Sequence, residues 1–157
     1  MAEGQSRAAP GPLDGFRVLD FSMFLAGPYC SRLMADMGAE IIKVEPPGGD
    51  MLRHAPPFRN GQSAYFGHMN CGKKSVELDL KEDQGWELVR RLIPSVDVLL
   101  ENFRPGVMRR LGLDYENLSA LKPDLIYCSV SGYGQEGPGS QRPAFAPIIH
   151  AASGYDL

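Results

Sequence analysis

The sequence predicts an α/β fold in which a Rossmann-like parallel β-sheet carries helices on its faces. Short apolar runs alternate with amphipathic stretches along the chain, which is the arrangement of βαβ units. The runs at 96–100 and 125–130 are mostly apolar, as buried parallel strands are. With 157 residues, the chain has the length of one domain with a substantial core.

The first third of the chain predicts two strands that flank one helix. A short strand at 16–21 precedes Pro28, which suits the first turn of a helix because its missing N–H needs no partner there. Apolar residues then recur at helical spacing until Gly38 ends the helix. The second strand is predicted at 41–44. A long irregular connection over 45–62 follows, and loops of this length are commonly functional or mobile.

The middle of the chain continues the alternation. Residues 76–80 alternate apolar and acidic side chains, the pattern of a half-buried strand. A helix over 82–93 and the strand at 96–100 follow, and then two short helices at 107–111 and 115–121. This order again favours a parallel sheet with helical crossovers.

The last part of the chain predicts a strand at 125–130, a loop at 131–139 and a helix from Ala146. The helix is expected to continue to the end of the sequence without a capping residue. The loop contains the letters of a dinucleotide fingerprint, starting at Gly132, but Pro138 follows where that fingerprint needs a helix. We therefore do not expect NAD binding.

Composition argues against several classes of protein. Net charge is −3 with no basic block, which does not suit nucleic acid. No apolar run approaches the roughly 20 residues of a membrane span. Three scattered cysteines do not suggest a disulfide framework, and the histidines show no metal-ligand spacing with them. Residues 1–12 lack the pattern of a targeting peptide, so we expect a disordered lead-in to a soluble cytoplasmic protein.

The most informative stretch is the end of the strand at 96–100. Polar and aromatic residues, Asn102 and Phe103, follow it directly, and Arg110 lies in the next predicted helix. Open α/β sheets place ligands at the carboxyl ends of their strands. A flat aromatic face and a forked cation suit a phosphate-bearing nucleotide. The alternative is an ordinary strand terminus followed by a basic helix.

Lysines flank the strand predicted at 76–80. Lys73 and Lys74 precede it and Lys81 follows it. As point charges they suit the phosphates of a nucleotide-like ligand. The alternative is that they are simply solvated.

Catalytic groups are not evident from the spacing of residues. His150 lies in an apolar helix, where a lone histidine is more commonly a packed core residue than a catalytic one. The sequence contains no nucleophile elbow, paired-carboxylate motif or Cys/His dyad. The residues alone predict a ligand-binding α/β layer without catalytic machinery.

Five motifs, taken in order, closely resemble one family. They are Arg17-Val18-Leu19-Asp20-Phe21 with Ala26-Gly27-Pro28, Gly38-Ala39-Glu40-Ile41-Ile42-Lys43-Val44-Glu45, Asn70 with Lys73-Lys74-Ser75, Glu101-Asn102-Phe103-Arg104-Pro105-Gly106, and Ser129-Val130-Ser131-Gly132-Tyr133-Gly134. From residue 13 to residue 157 the chain resembles the family III CoA-transferases. This CaiB/BaiF group includes formyl-CoA transferase and α-methylacyl-CoA racemase.

The resemblance implies a Rossmann-like large domain, a second small domain and an intertwined homodimer. It also implies transfer of CoA between an acyl-CoA and a carboxylic acid through an aspartyl anhydride and an aspartyl-CoA thioester. Coenzyme A would be a substrate rather than a permanently bound cofactor, and no metal is implied. Family members are more than twice as long, so we expect residues 13–157 to be the amino-terminal part of the large domain.

The resemblance also implies which residues contact CoA. Carried over position by position, they are Phe24, Leu78, Lys81, Asn102, Phe103, Arg110 and Leu111. The nucleophilic aspartate of the family is expected after Leu157, and Asp156 stands too early to be it. The chain by itself is therefore predicted to be inactive.

Three positions on the side of the acyl group depart from known members. Leu25 stands where formyl-CoA transferase carries Gln, and Ala146 where it carries Glu. Phe145-Ala146 replaces a His-Asp pair of the racemase. Racemisation needs a base on each face of the α-carbon, so we expect a transferase rather than a racemase. A non-catalytic CoA-binding or interaction module is the alternative, and donor and acceptor stay open.

Overall fold

The computed structural model describes residues 10–155, and a five-stranded parallel sheet forms its centre. The strands of the chain are β1 (Arg17–Asp20), β2 (Glu40–Glu45), β3 (Phe58–Arg59), β4 (Gln62–Ser63), β5 (Lys74–Glu77), β6 (Val98–Glu101) and β7 (Ile126–Ser129). The helices are α1 (Ala26–Asp36), α2 (Ala64–Asn70), α3 (Asp83–Leu92), α4 (Val107–Arg110), α5 (Tyr115–Ser119) and α6 (Ala146–Ser153). The predicted α/β fold is confirmed.

The strand order places a switch point at the centre of the sheet. The order is β5-β2-β1-β6-β7, and all neighbours are parallel. From β1 the chain first winds outward through β2 to β5, and then crosses back to β6 on the other side of β1. Open α/β sheets bind ligands in a crevice at the carboxyl edge beside such a switch point, which here is the edge between β1 and β6.

Apolar side chains alternate between the two faces of the sheet and form two core clusters. Val18 and Leu100 face α1, together with Met34 of that helix. Leu19 and Leu99, both fully buried, face α3, α4 and α5. Helices cover both faces, as a parallel sheet requires. The carboxyl edge, with its loops, is left as the accessible part of the central strands.

The connection predicted as irregular over 45–62 contains short elements. A 3₁₀ turn spans Met51–His54, where the Asp50 carboxylate accepts the Leu52 N–H at 2.9 Å, and β3 and β4 form an antiparallel hairpin. Helix α2 then begins after Ser63, whose hydroxyl accepts the Phe66 N–H. The prediction is wrong here because these elements are too short and polar to show a hydrophobic period. Asp50 and Ser63 were the available signals, since both residue types cap helices.

Strand β5 starts two residues before the predicted strand at 76–80 and ends three residues before the predicted end. It pairs with β2, which ends at Glu45 because Pro46 and Pro47 follow and cannot donate to a ladder. Leu78 and Leu80 therefore leave the sheet and pack against the core at its margin. The alternation of apolar and acidic residues over 76–80 therefore arises partly from the strand and partly from the packing of Leu78 and Leu80 beyond it.

Helix α6 begins at Ala146 as predicted, but it does not run to the end of the sequence. It ends at Ser153, and Gly154 follows with φ of 76°. The Tyr155 N–H donates to the His150 carbonyl at 3.0 Å, which closes the helix in the left-handed capping motif that glycine favours. The expectation of an uncapped helix is wrong, and Gly154 was its overlooked signal.

His150 is exposed on α6, so its interpretation as a core residue is also wrong. Its ring packs against Tyr155, with the ring centroids 4.9 Å apart. The apolar letters around it misled the prediction, because most of α6 lies at the surface of the described chain.

The predicted lead-in, residues 1–12, falls mainly outside the described residues. At its described end, Gly11 packs so closely on the Met37 carbonyl that a β-carbon would overlap it, and the Leu13 N–H donates to the same oxygen at 3.0 Å. Among residues 10–155, none of the helices combines the length and the apolar character needed to cross a bilayer.

Candidate functional site

The loops that follow β1 and β6 meet at the switch point through the side chain of Asn102. Its Oδ1 accepts the Met23 N–H at 2.8 Å, and its Nδ2 donates to the Met23 carbonyl at 2.7 Å. The two residues are 79 positions apart in the sequence. The structure therefore joins loop 21–25 and loop 102–106, which both carry predicted site residues, into one surface.

Loop 21–25 ends in two exposed apolar side chains, Phe24 and Leu25. They are 45% and 42% exposed. Phe24 has φ of 64°, in the left-handed region that an aromatic residue rarely adopts. Such a conformation costs on the order of 1–3 kcal/mol and is found mainly at binding and catalytic sites. Both predicted site residues are thus accessible at the carboxyl end of β1.

The other apolar residues predicted to contact CoA share one face of the sheet. Leu78, Phe103 and Leu111 are half-buried, and all three pack against the core cluster that contains Leu99. The Phe103 N–H donates to Glu101 Oε2 at 2.8 Å, which fixes the start of loop 102–106. These side chains form a margin of apolar surface beside the carboxyl edge.

The two predicted phosphate-binding cations, Arg110 and Lys81, are exposed. Arg110 ends α4, and its Nη1 lies 3.5 Å from the position that a β-carbon on Gly106 would occupy. The guanidinium is therefore folded back over the start of its own helix, beside the loop after β6. Arg109 is exposed as well, but successive helical residues point in different directions.

Lys73 is not available to a phosphate. Its side chain is 1% exposed, and Nζ donates to Asp20 Oδ2 at 3.1 Å, to the Pro28 carbonyl at 2.9 Å and to Asn70 Oδ1 at 2.9 Å. All three ammonium protons are therefore used. Burial lowers the pKa of Lys73, and Asp20 opposes that shift.

Both interpretations of Lys73, as a phosphate ligand and as a solvated residue, are therefore wrong. Lys74 differs, because it is 72% exposed and pairs with Glu40 at 2.5 Å.

A second buried lysine, Lys43, was missed by the sequence analysis. Its Nζ donates to the Ser22 carbonyl at 2.6 Å and lies 3.0 Å from Asp50 Oδ2, and both ionic side chains are at most 1% exposed. A lysine inside the apolar run of β2 was the signal, since a buried charge needs a partner. It links the loop after β1 to the segment after β2.

Two buried glutamates end neighbouring parts of the sheet in different environments. Burial would raise the pKa of Glu45, but hydrogen bonds from Arg53, Ser75 and the Asp50 N–H outweigh it and lower the pKa to about 2. Burial raises the pKa of Glu101, and hydrogen bonds from Ser129 and Phe103 only partly oppose it. Burial therefore dominates the pKa of Glu101, whereas hydrogen-bond donors together dominate the pKa of Glu45.

Phe145 and Ala146, predicted on the side of the acyl group, lie at the start of α6 rather than on the loops after β1 and β6. Phe145 is 61% exposed and precedes the first turn of the helix. The adjoining Ala144 contacts Gly132 so closely that a β-carbon on Gly132 would overlap it. The structure places this pair beside the loop after β7. The predicted nucleophile after Leu157, and also Asp156, fall outside the described residues.

The model of the family "CoA-transferase family III" matches residues 13–156, which is nearly the whole chain. The chain belongs to that family. It is 48% identical over 151 residues to a succinyl-CoA–D-citramalate CoA-transferase of Chloroflexus aurantiacus, which covers 95% of this chain and 38% of the relative. It is 45% identical to the succinyl-CoA:glutarate CoA-transferase of Mus musculus, over 91% of this chain and 33% of the relative.

Solved structures agree with the fold. A CAIB/BAIF family protein from Brucella suis superposes with a TM-score of 0.88 at 42% identity, over 93% of this chain and 40% of that one. Rv3272 from Mycobacterium tuberculosis gives a TM-score of 0.86 at 44% identity, over 92% of this chain and 40% of that one. The chain spans about two fifths or less of the length of these proteins. The predicted family is confirmed.

Proposed function

We propose that this chain supplies the CoA-binding part of an enzyme that moves CoA between an acyl-CoA and a carboxylic acid. Asn102 carries the proposal, because its amide brings the loops after β1 and β6 together and places Phe24 at the switch point. Membership of the CoA-transferase family supports the chemistry. Residues 13–157 would then be the amino-terminal part of a large domain, with the remainder of the protein beyond them.

The residues of this chain would act by holding CoA. Phe103, Leu78 and Leu111 offer apolar surface for the flat adenine and the pantetheine arm. Arg110 and Lys81 offer exposed cations for the phosphates. No buried ion pair needs to break for these contacts to form.

The proposed reaction explains why CoA must stay bound throughout the transfer. A carboxylate of an aspartate after Leu157 attacks the thioester, which forms an anhydride and releases the CoA thiolate. The thiolate attacks the aspartyl carbonyl, expels the first acid and forms an aspartyl-CoA thioester. The acceptor carboxylate then repeats the sequence in reverse. Because CoA leaves as a free thiolate twice, contacts that hold its distant nucleotide keep it in place for the next attack.

Relatives suggest the class of acceptor. The names of three of them pair succinyl-CoA with D-citramalate, acetyl-CoA with oxalate, and succinyl-CoA with glutarate. All three acceptors are dicarboxylic acids. We infer a small dicarboxylic acid as the acceptor here, with succinyl-CoA as the first donor to test.

The test is a transfer assay on the full-length protein. Succinyl-CoA and a panel of dicarboxylic acids are expected to give a new acyl-CoA without accumulation of free CoA. Binding of CoA without turnover would favour the non-catalytic CoA-binding module. Rapid α-deuteration of a chiral 2-methylacyl-CoA in deuterated water, without any acid, would instead show a racemase. Turnover by residues 1–157 alone would overturn the position of the nucleophile.

We also propose that the full-length protein is an intertwined homodimer in the cytoplasm. Large apolar side chains at the β7 side of the described chain support burial by further protein, among them Ile126 at 56%, Phe145 at 61% and Tyr155 at 77% exposure. Light scattering of the full-length protein is expected to give the mass of a dimer. A monodisperse monomer would contradict this.

A further inference from the structure

The backbone of Ser22 and Met23 is held by side chains. Asp20 Oδ1 accepts the Ser22 N–H at 2.8 Å, and Lys43 Nζ donates to the Ser22 carbonyl at 2.6 Å. Asn102 accepts the Met23 N–H and donates to the Met23 carbonyl. All four polar backbone groups of this dipeptide are thus bonded to three side chains, which we call the clamp. Asp20 ends β1, Lys43 lies within the neighbouring β2, and Asn102 directly follows β6 on the other side of β1.

Two of the clamp residues are themselves fixed by buried partners. Asp20 is fully buried and accepts hydrogen bonds from Ser31 at 2.5 Å and Lys73 at 3.1 Å. Lys43 lies against the buried Asp50. A side chain whose rotamer is locked by such contacts positions its neighbour more accurately than a solvated one.

The loop is also pressed closely against the start of α1. A β-carbon on Gly27 would overlap the side chain of Ser22 and would lie 3.3 Å from Asn102 Cγ. The absence of a side chain at Gly27 therefore lets the loop sit directly on the helix. With the clamp on one side and α1 on the other, the loop has little freedom.

Phe24 follows this dipeptide directly and has the strained φ of 64°. A non-glycine residue keeps such a conformation only where its surroundings over-determine it. The clamp provides this constraint on the amino-terminal side of Phe24.

We propose that Asp20, Lys43 and Asn102 are positioning residues, which hold loop 21–25 so that Phe24 is presented to the bound acyl-CoA. Asn102 then contributes to CoA affinity through Phe24 rather than through a contact of its own amide with the ligand. This inference rests on the proposed function, because it assumes that CoA occupies the crevice. Asn102, which the resemblance placed among the direct CoA contacts, is thus assigned a positioning role instead.

A double-mutant cycle in the full-length protein tests the proposal. Calorimetric titration with CoA compares wild type, Asn102→Ala, Phe24→Ala and the double variant. We expect Asn102→Ala to weaken CoA binding about tenfold in the wild-type background and less than about twofold in the Phe24→Ala background. Equal losses in both backgrounds would show a direct contact and overturn the proposal.

Amide hydrogen exchange in the absence of CoA gives an independent measurement. Asn102→Asp keeps an acceptor for the Met23 N–H but places an oxygen against the Met23 carbonyl. Faster exchange at residues 23–25 is expected in this variant, with little change in β6. Unchanged exchange would overturn the clamp. If wild type does not bind CoA, the proposed function fails, and the exchange experiment alone still decides whether the clamp exists.

Discussion

Two halves of the same carboxyl edge use their charged residues in different ways. At the β2–β5 half, Arg53 and Ser75 both donate hydrogen bonds to the Glu45 carboxylate. At the β1–β6 half, Phe24 and Leu25 are exposed, and the buried Asp20 and Lys43 bond to the backbone of Ser22 before them. Charge that is paired inside the protein stabilises the fold, and only the side chains left accessible can meet a ligand. The comparison therefore separates two kinds of cation. The structural cations, Lys73 and Lys43, are buried and paired, and the binding cations, Arg110 and Lys81, are exposed.

The largest expected effect concerns the structural cations. Lys73→Met leaves the buried Asp20 carboxylate without its cation, and removing one partner of a buried pair costs about 3–5 kcal/mol. Lys74→Met is the matched control, because Lys74 is 72% exposed and its pair is worth less than about 1 kcal/mol. Urea unfolding measures both. A Lys73→Met protein of normal stability that binds CoA weakly would reverse the assignment.

The binding cations are expected to behave in the opposite way. We expect Arg110→Ala and Lys81→Ala each to weaken CoA binding about tenfold to a hundredfold, because the proposed charge-assisted hydrogen bond to a phosphate is worth roughly 1.5–3 kcal/mol. Stability should be unchanged, since both residues are exposed. Arg109→Ala is the control for Arg110, from the same helix. Equal losses in the Arg109 and Arg110 variants would indicate general attraction by charge rather than a site.

The glutamates sharpen the comparison through pH. The pKa of Glu45 is lowered from 4.5 to about 2, so its contribution to stability is present above pH 4.5 and is lost as the pH falls toward 2. We expect about 2 kcal/mol, since Arg53 is 39% exposed and solvent screens the pair. The free energy of unfolding, measured as the pH is lowered, should fall less steeply between pH 4.5 and 2 in Glu45→Gln than in wild type.

The pKa of Glu101 is shifted in the opposite direction from that of Glu45. Its pKa is raised, so protonation favours the fold and Glu101→Gln should be tolerated better at neutral pH than Glu45→Gln. The reverse ranking of the two variants would contradict the opposite pKa shifts of the two glutamates.

The smallest expected effect is at Phe103. Phe103→Ala removes a stacking surface worth about 0.5–1.5 kcal/mol, which weakens CoA roughly threefold to tenfold. Phe16→Ala is the control, because Phe16 is 42% exposed and lies at the amino end of β1. Titration of both variants with CoA compares them. A larger loss at Phe16 would place the ligand at the wrong edge of the sheet.

Much of the fold was predictable because burial leaves a pattern in the sequence. Strands such as β6 are buried on both faces and therefore appear as mostly apolar runs. The hairpin and α2 were missed because short polar elements have no such pattern. The resemblance placed Leu78, Phe103 and Arg110 at one site, and the structure sets them around the same edge.

The partners of charged residues were not predictable from the sequence. Lys73 and Asp20 are 53 positions apart, and Asn102 and Met23 are 79 positions apart. Spacing along the chain does not show such pairs, so Lys73 looked equivalent to Lys81. Only the fold distinguishes a lysine whose protons are all used from one that faces solvent.

The central claim is that CoA binds at the carboxyl edge of the sheet through exposed cations while the buried lysines remain in the fold. A crystal structure of the full-length protein with CoA tests it most directly. We predict CoA phosphates within hydrogen-bond distance of Arg110, its thiol end near Phe24, and Lys73 Nζ still bonded to Asp20. CoA phosphates bonded to Lys73 or Lys43, or CoA lying at the amino edge of the sheet, would contradict the claim.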